Sequence, residues 1–291
     1  MMTAGVDVGG TWLRAAVFDA AHKMADVFRA ANDGSRSARE NMEPLVAFLN
    51  RHGRMLRGVG VGCPGPLSVR EGKMLNPPNL TGWDNFEIVN YLRERTGLRV
   101  ALTNDASAAC LAEARLGAGR GFESVAFVGI STGIGGGFAI NGKIYNGAHA
   151  NAAEFWNMIV NEDPNCHKNA NPGSLNEQAS GSGLARAATQ RYGRETTARE
   201  LFARYNQGDG IAREIVCHAA DALGRGIANI TCTLDPEVIV IGGSVAMYNP
   251  GYVKLAVDCA REYAVFPEAL LVRPAAFGDD AGLIGASLLI S

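Results

Sequence analysis

Two glycine turns, each caught between short apolar runs, limit the folds open to this chain. The first is Asp7-Val8-Gly9-Gly10-Thr11, with apolar runs at 4–8 and 12–18. The second is Ser131-Thr132-Gly133-Ile134-Gly135-Gly136-Gly137, with runs at 124–130 and 136–140. Runs of this length bounded by glycine read as strands joined by a tight bend. Each bend opens a similar succession of elements. After the first come a strand at 24–29, helices near 38–52, 86–96 and 106–116, and strands at 58–62 and 99–103. After the second come an Asn141-Gly142 hairpin to 143–145, a long polar insertion at 147–182, and helices near 196–205 and 210–234. A strand at 238–241, a helix from 251, a strand near 270–273 and a last helix at 281–289 follow. This is a coarse duplication, not a short-period solenoid. It predicts an α/β protein of two domains, with mixed sheets, helices on both faces and a cleft between. The smaller domain is expected at 1–117 plus 280–291 and the larger at 118–279, with the boundary near the glycine-rich stretch after 116.

Composition narrows the function classes. Glycine supplies 36 of 291 residues, where about 20 would be ordinary. The excess is neither periodic nor gathered in one block, which excludes collagen and a flexible linker. Lys and Arg number 27 against 29 Asp and Glu, a net charge of −2, so no nucleic-acid partner is expected. No apolar run reaches the ~18 residues of a membrane span, and the first residues lack the plan of a signal peptide. The six cysteines are scattered without a CxxC. A cytoplasmic protein with reduced thiols is the expectation.

The turns suggest chemistry. Gly9, Gly10, Gly133 and Gly135 let backbone amides approach an anion, and Thr11 and Thr132 add hydroxyls. Either turn alone reads first as a structural hairpin; two in matching places favour phosphate binding. Asp7, ending a strand, has the chemistry to hold Mg²⁺ through water. A third turn, Gly242-Gly243, follows a buried strand and would suit a base or ribose, or simply a strand-to-helix connection. Asp105, in Leu102-Thr103-Asn104-Asp105, stands where a strand meets a helix. It reads as a helix cap or as the base that a phosphoryl transfer to an alcohol needs. Asn104 beside it and Asn79, in a proline-rich loop, are suited to sugar hydroxyls.

Taken in order, DVGGT at Asp7, CPGPL at Cys63, NPPNLTGW at Asn76, TNDA at Thr103, STGIGGG at Ser131, GSLNEQASG at Gly173, VIGGSV at Val240 and DDAGLIGAS at Asp279 resemble the ROK family of sugar kinases, open reading frames and repressors. The resemblance covers nearly the whole chain. It implies an actin-like, ribonuclease H-like ATPase fold, ATP phosphates on the two hairpins, Asp105 as catalytic base and a homodimer. It implies sugar contacts from Gly65, Asn79, Asn104, Asp105, Glu154, and the positions of Asn157 and Asn176. The repressor branch adds an N-terminal helix-turn-helix, and here Asp7 arrives at once.

One region departs from the family pattern. Asn157, His167, Asn169 and Ser174 stand where the family has a His and three Cys around zinc. His167, with Cys166 adjacent, is the one plausible ligand left, so no zinc site is expected. Amides at 157 and 176 replace a His and a Glu that read the sugar, and Glu177 lies one position off. The resemblance therefore implies an ATP- and Mg²⁺-dependent kinase acting on the 6-hydroxyl of a hexose or N-acyl hexosamine. N-acetylmannosamine is the first candidate, with glucose and other amino sugars, or a non-catalytic sugar sensor, as alternatives.

Overall fold

In this computed structural model the described residues are 1–78, 80–164, 166–167 and 170–290. The chain divides into two compact units: Met1–Arg120 with Gly137–Ala152 and Asp279–Ser291, and Gly121–Gly136 with Ala153–Gly278. Both are mixed α/β, as the duplicated pattern predicts.

The first unit opens with β1 (Met2–Val8), β2 (Trp12–Phe18) and β3 (Met24–Ala31), then α1 (Ala38–His52) and β4 (Leu56–Cys63). A small ribbon of β5 (Leu67–Ser68) and β6 (Lys73–Met74) precedes α2 (Ile88–Thr96), β7 (Val100–Asn104) and α3 (Asp105–Leu116). The sheet order is β3-β2-β1-β4-β7. β1 and β2 pair antiparallel, while β1, β4 and β7 run parallel.

The sequence Gly58-Val59-Gly60-Val61-Gly62 in β4 shows how the layers form. Successive strand residues face opposite sides. Val59 and Val61 join a core with Met42, Leu45, Phe48 and Leu49 of α1 and Ile88 and Leu92 of α2. The glycines face the other side, where α10 (Ala281–Leu288) lies on bare backbone. A Cβ at Gly60 would sit 1.7 Å from the Ala286 carbonyl oxygen, and one at Gly5 would sit 2.0 Å from that of Leu283. At Gly285 it would sit 1.7 Å from the carbonyl oxygen of Ala108 on α3. Gly5, Gly60 and Gly285 therefore serve this close helix-on-sheet and helix-on-helix approach, a use that the scatter of glycine along the chain does not reveal.

In the second unit the chain runs through β8 (Ser124–Ile130) into β9 (Ile134–Ile140), which continues into the first unit, where β10 (Lys143–Ile144) pairs with its end. α4 (Leu175–Ala179), α5 (Gly181–Tyr192), α6 (Ala198–Asn206) and α7 (Gly210–Leu234) follow, then β11 (Val238–Gly242), α8 (Ser244–Tyr248), α9 (Pro250–Tyr263) and β12 (Val272–Pro274). β11 runs parallel to β8 and to β12. α7 packs on α4 and α9, and the buried Tyr252 hydroxyl of α9 donates to the Ala179 carbonyl at 3.1 Å.

The expected insertion at 147–182 ends earlier than its polarity implies. α4 lies inside it, and α5, which the sequence pattern does not signal, starts at its end. Gly181, Gly183 and few large apolar side chains hide α5 from a periodicity argument. Tertiary burial of Leu184 and Ala188, with Ser180 Oγ accepting the Gly183 N–H at 3.0 Å, holds it. Among the described residues, no helix is long and apolar enough to cross a membrane.

Candidate active site

In the first unit, parallel pairing brings Asp7, Gly62 and Thr103 level on β1, β4 and β7, all near the strands' carboxyl ends. That edge is where α/β sheets collect ligands. Asn104 and Asp105 follow one step further on. Asn104, not Asp105, is the helix cap: its Oδ1 accepts the Ala106 N–H at 2.9 Å and the Ser107 N–H at 3.3 Å. Asp105 is the first residue of α3, with Oδ1 on the Ala106 N–H at 2.7 Å. The cap duty that a bland reading would give Asp105 is thus carried by its neighbour. Gly65 lies beside Asn104, since a Cβ there would be 3.8 Å from Asn104 Nδ2. Asn79 lies outside the described residues.

Asp7 is ion-paired with its cross-strand partner Arg14, whose Nη2 and Nε donate to Oδ2 at 2.6 and 3.0 Å. Arg14 Nη2 also donates to the Asp279 carbonyl at 2.8 Å, tying β2 to the entry of α10. Asp7 keeps Oδ1 for another partner. A Mg²⁺ ion bound chiefly by substrate phosphates and water needs only one or two protein carboxylates, and Asp7 fits that outer role. Among the described residues, no group of three or more His, Cys, Asp or Glu could hold a metal by itself. Cys63, ending β4, is fully buried. Burial pushes its thiol pKa well up, and the charges of Asp105 and Asp7 push the same way. Sequence reasoning did not single out Arg14, and it read Cys63 only as the start of a motif; their link to the carboxylates depends on strand register.

The first turn is lightly held. The Gly9 N–H donates to the Trp12 carbonyl at 2.9 Å, and Asn32 Nδ2 donates to the Gly9 carbonyl at 2.8 Å. Gly10 and Thr11 are exposed.

In the second unit, the turn at 131–134 is gripped from three helices. The Gly181 and Ser182 N–H groups of α5 donate to the Ser131 and Thr132 carbonyls at 2.9 and 3.0 Å. The Ser244 N–H of α8 donates to Ser131 Oγ at 2.9 Å. The Ile134 N–H donates to Asn176 Oδ1 of α4 at 3.0 Å. Thr132 and Gly133 are exposed, Gly135 half-buried. An open groove of about 720 Å³ adjoins this turn, lined by Thr132, Ser182, Gln190, Thr196, Arg199 and Ser244 among others. That volume is in the range of small-molecule sites. Gly243 caps α8 with φ +85°, and a Cβ there would sit 2.4 Å from the Ile130 carbonyl oxygen. Gly242 is buried against Phe127 and Ala275, and Ser244 and Val245 line the groove in its place. The sequence pattern does not point to the groove: α5 leaves no pattern, and the helix expected near 196–205 carries no sign that its start lines a groove.

The rebuilt loop is stitched by amides. Asn157 Oδ1 accepts the Asn171 N–H at 2.7 Å, and Asn171 Nδ2 donates back to the Asn157 carbonyl at 3.3 Å. Ile159 bridges Ser174, whose buried hydroxyl finds no partner among the described residues. His167 and Cys166 are exposed; Asn169 lies outside the described residues. A spent amide oxygen and a buried hydroxyl are not the N/S set that zinc takes, so the residues present do not fit that metal. Glu177 turns away to Arg186 at 2.8 Å, its side chain only 7% exposed. Glu154 accepts a short hydrogen bond from the Trp156 indole N–H. Surrounding protein raises its pKa, and the indole bond works the other way.

The family model described as the ROK family matches residues 3–291. Among curated relatives, an N-acetylmannosamine kinase of Escherichia coli O139:H28 is 34% identical, covering 99% of this chain and 98% of its own. A ROK hexokinase from Thermus thermophilus superposes with a TM-score of 0.92 at 35% identity, covering 99% of this chain and 97% of its own. A ROK family glucokinase from Streptomyces griseus, solved with glucose and AMPPNP, gives 0.82 at 27%, covering 99% of each. Agreement over essentially the whole length, in sequence and fold together, goes beyond shared turns: this chain belongs to the ROK family, whose fold is that of the actin-like ATPases.

Proposed function

We propose that this protein is an ATP-dependent sugar kinase that phosphorylates the 6-hydroxyl of a hexose or N-acyl hexosamine, with N-acetylmannosamine the first sugar to try. The observation that carries this reading is the place of Asp105. It sits on the first turn of α3, one step past the carboxyl end of β7, beside a cap that Asn104 supplies. In the proposed reaction Asp105 orients the sugar hydroxyl and takes its proton. The new bond joins that oxygen to the γ-phosphorus, while the bond to the β–γ bridging oxygen breaks and ADP leaves. Mg²⁺, when bound with the nucleotide, neutralises developing charge on the phosphates. The turns at 9–11 and 131–134 hold the phosphates, the groove beside Thr132 takes the nucleoside, and Asn104 and Glu154 read sugar hydroxyls. The nucleotide class is supported by the AMPPNP carried by the glucokinase relative, and the sugar by the curated relative at 34% identity.

ADP release measured across N-acetylmannosamine, N-acetylglucosamine, glucose and mannose tests the reading. Asp105→Asn should lower kcat by about 100-fold or more with the sugar KM little changed; near-wild-type turnover would sink it. We also propose that the loop works without zinc, because its amides already hold it together. Dialysis against a chelator, then return of Mg²⁺, should leave both melting temperature and turnover unchanged. One equivalent of tightly held zinc, lost only with the fold, overturns that.

A further inference from the structure

Asn176 occupies a position at which the family resemblance implies a sugar contact, yet its acceptor oxygen faces the turn at 131–134. Oδ1 receives the Ile134 N–H at 3.0 Å. It also lies where a Cβ on Gly133 would come within 3.2 Å. A carboxamide has one oxygen and one NH₂, and the oxygen is committed to the turn at 131–134. The neighbouring Glu177 does not share this duty, since its carboxylate is held by Arg186.

We propose that Asn176 is a positioning residue for the nucleotide: a neutral strut from α4 that sets the pitch of the phosphate turn. This rests on the kinase reading for what the turn binds. Three features support it. First, the strut holds the first amide of β9, that of Ile134, while α5 and α8 hold the Ser131 and Thr132 side of the same turn. Without Asn176 the turn would be gripped on one side only. Second, α4 is itself anchored: Leu175 packs under Gly226 of α7, and its N–H donates to the Met158 carbonyl at 2.8 Å. The strut therefore has a fixed base. Third, the acceptor is uncharged. Asn176 Nδ2 donates to Glu177 Oε1 at 3.4 Å, so a carboxylate at 176 would lose that bond and set two negative charges side by side next to the turn.

The experiment reads AMPPNP affinity by calorimetry with Mg²⁺ and no sugar, together with separate KM values for ATP and sugar. Asn176→Ala leaves the Ile134 N–H without its acceptor and should weaken AMPPNP and raise the ATP KM by about tenfold. The sugar KM should stay within about twofold. Asn176→Asp keeps an acceptor and adds charge. It should also weaken the nucleotide, and added salt should recover much of that loss, which loss of packing would not show. If the alanine variant does not fold, the aspartate variant carries the test. A raised sugar KM with nucleotide affinity unchanged, equal changes in both, or no change in either overturns the proposal. If the wild type binds AMPPNP but releases no ADP with any sugar, the kinase reading fails while the strut is still tested by the binding arm.

Discussion

The turn at residues 9–11 and the turn at 131–134 each join two strands, and glycine supplies both bends. The first hangs on two hydrogen bonds to its glycine and one from the Asn32 N–H to the Thr11 carbonyl at 2.9 Å, all from its own sheet. The second is bound by α4, α5 and α8, through partners 42 to 113 residues away for its Asn176 and Ser244 contacts. Matching sequence patterns thus give one loop free to adjust and one held in advance. Ordering a loop on binding costs conformational entropy, so the held turn would lose less on binding a ligand, and in the proposed reaction it is the better fixed platform for a nucleotide. The freer turn can settle afterwards.

Variants can break this contrast. The largest effect is expected from the helix caps of the gripped turn. Gly243→Ala demands φ +85° of a residue with a Cβ and drives that atom to 2.4 Å from the Ile130 carbonyl oxygen. A loss of about 3 kcal/mol is expected in denaturant unfolding. Gly9→Ala has no positive φ to hold and one neighbour at 3.1 Å, the Trp12 carbonyl oxygen, so about 1 kcal/mol or less is expected. Equal losses would remove the distinction. A smaller effect is expected from single bonds. Ser131→Ala strips the acceptor from the Ser244 N–H and should cost about 1 kcal/mol along with nucleotide affinity. Asn32→Ala should cost roughly half that, since water can reach the Gly9 carbonyl in its place. An Asn32 variant that loses more affinity than the Ser131 variant would reverse the ranking of the two turns.

How much of this was readable before folding varies by region. α1 and α7 carry strong apolar stripes and side-chain caps, Ser37 and Asp209, so their bounds follow from pattern alone. α5 carries few large apolar side chains, and it is held by the burial of Leu184 and Ala188 in the folded unit. The site shows the same split. Asp7, Asp105 and the glycine turns are legible as motifs. The Arg14 partner of Asp7, the capping role of Asn104, the groove along α5 and the direction of Asn176 are not. Each depends on register or on which way a side chain leaves a helix, and a one-residue step turns a side chain by about 100°. That separates Asn176, on the turn, from Glu177, on Arg186.

By itself the sequence determined the family, the duplicated α/β plan and the presence of two glycine turns, because these rest on local pattern and on motifs in a set order. It also located the place where the metal loop was rebuilt. Only the tertiary structure decided what several of the glycines do and how the rebuilt loop stays closed. Gly5, Gly60 and Gly285 are needed because another backbone occupies the space that a Cβ would take. The loop is joined by Asn157 and Asn171. Close approach and hydrogen-bond direction are properties of pairs of residues far apart in the chain, and no single stretch of sequence contains them.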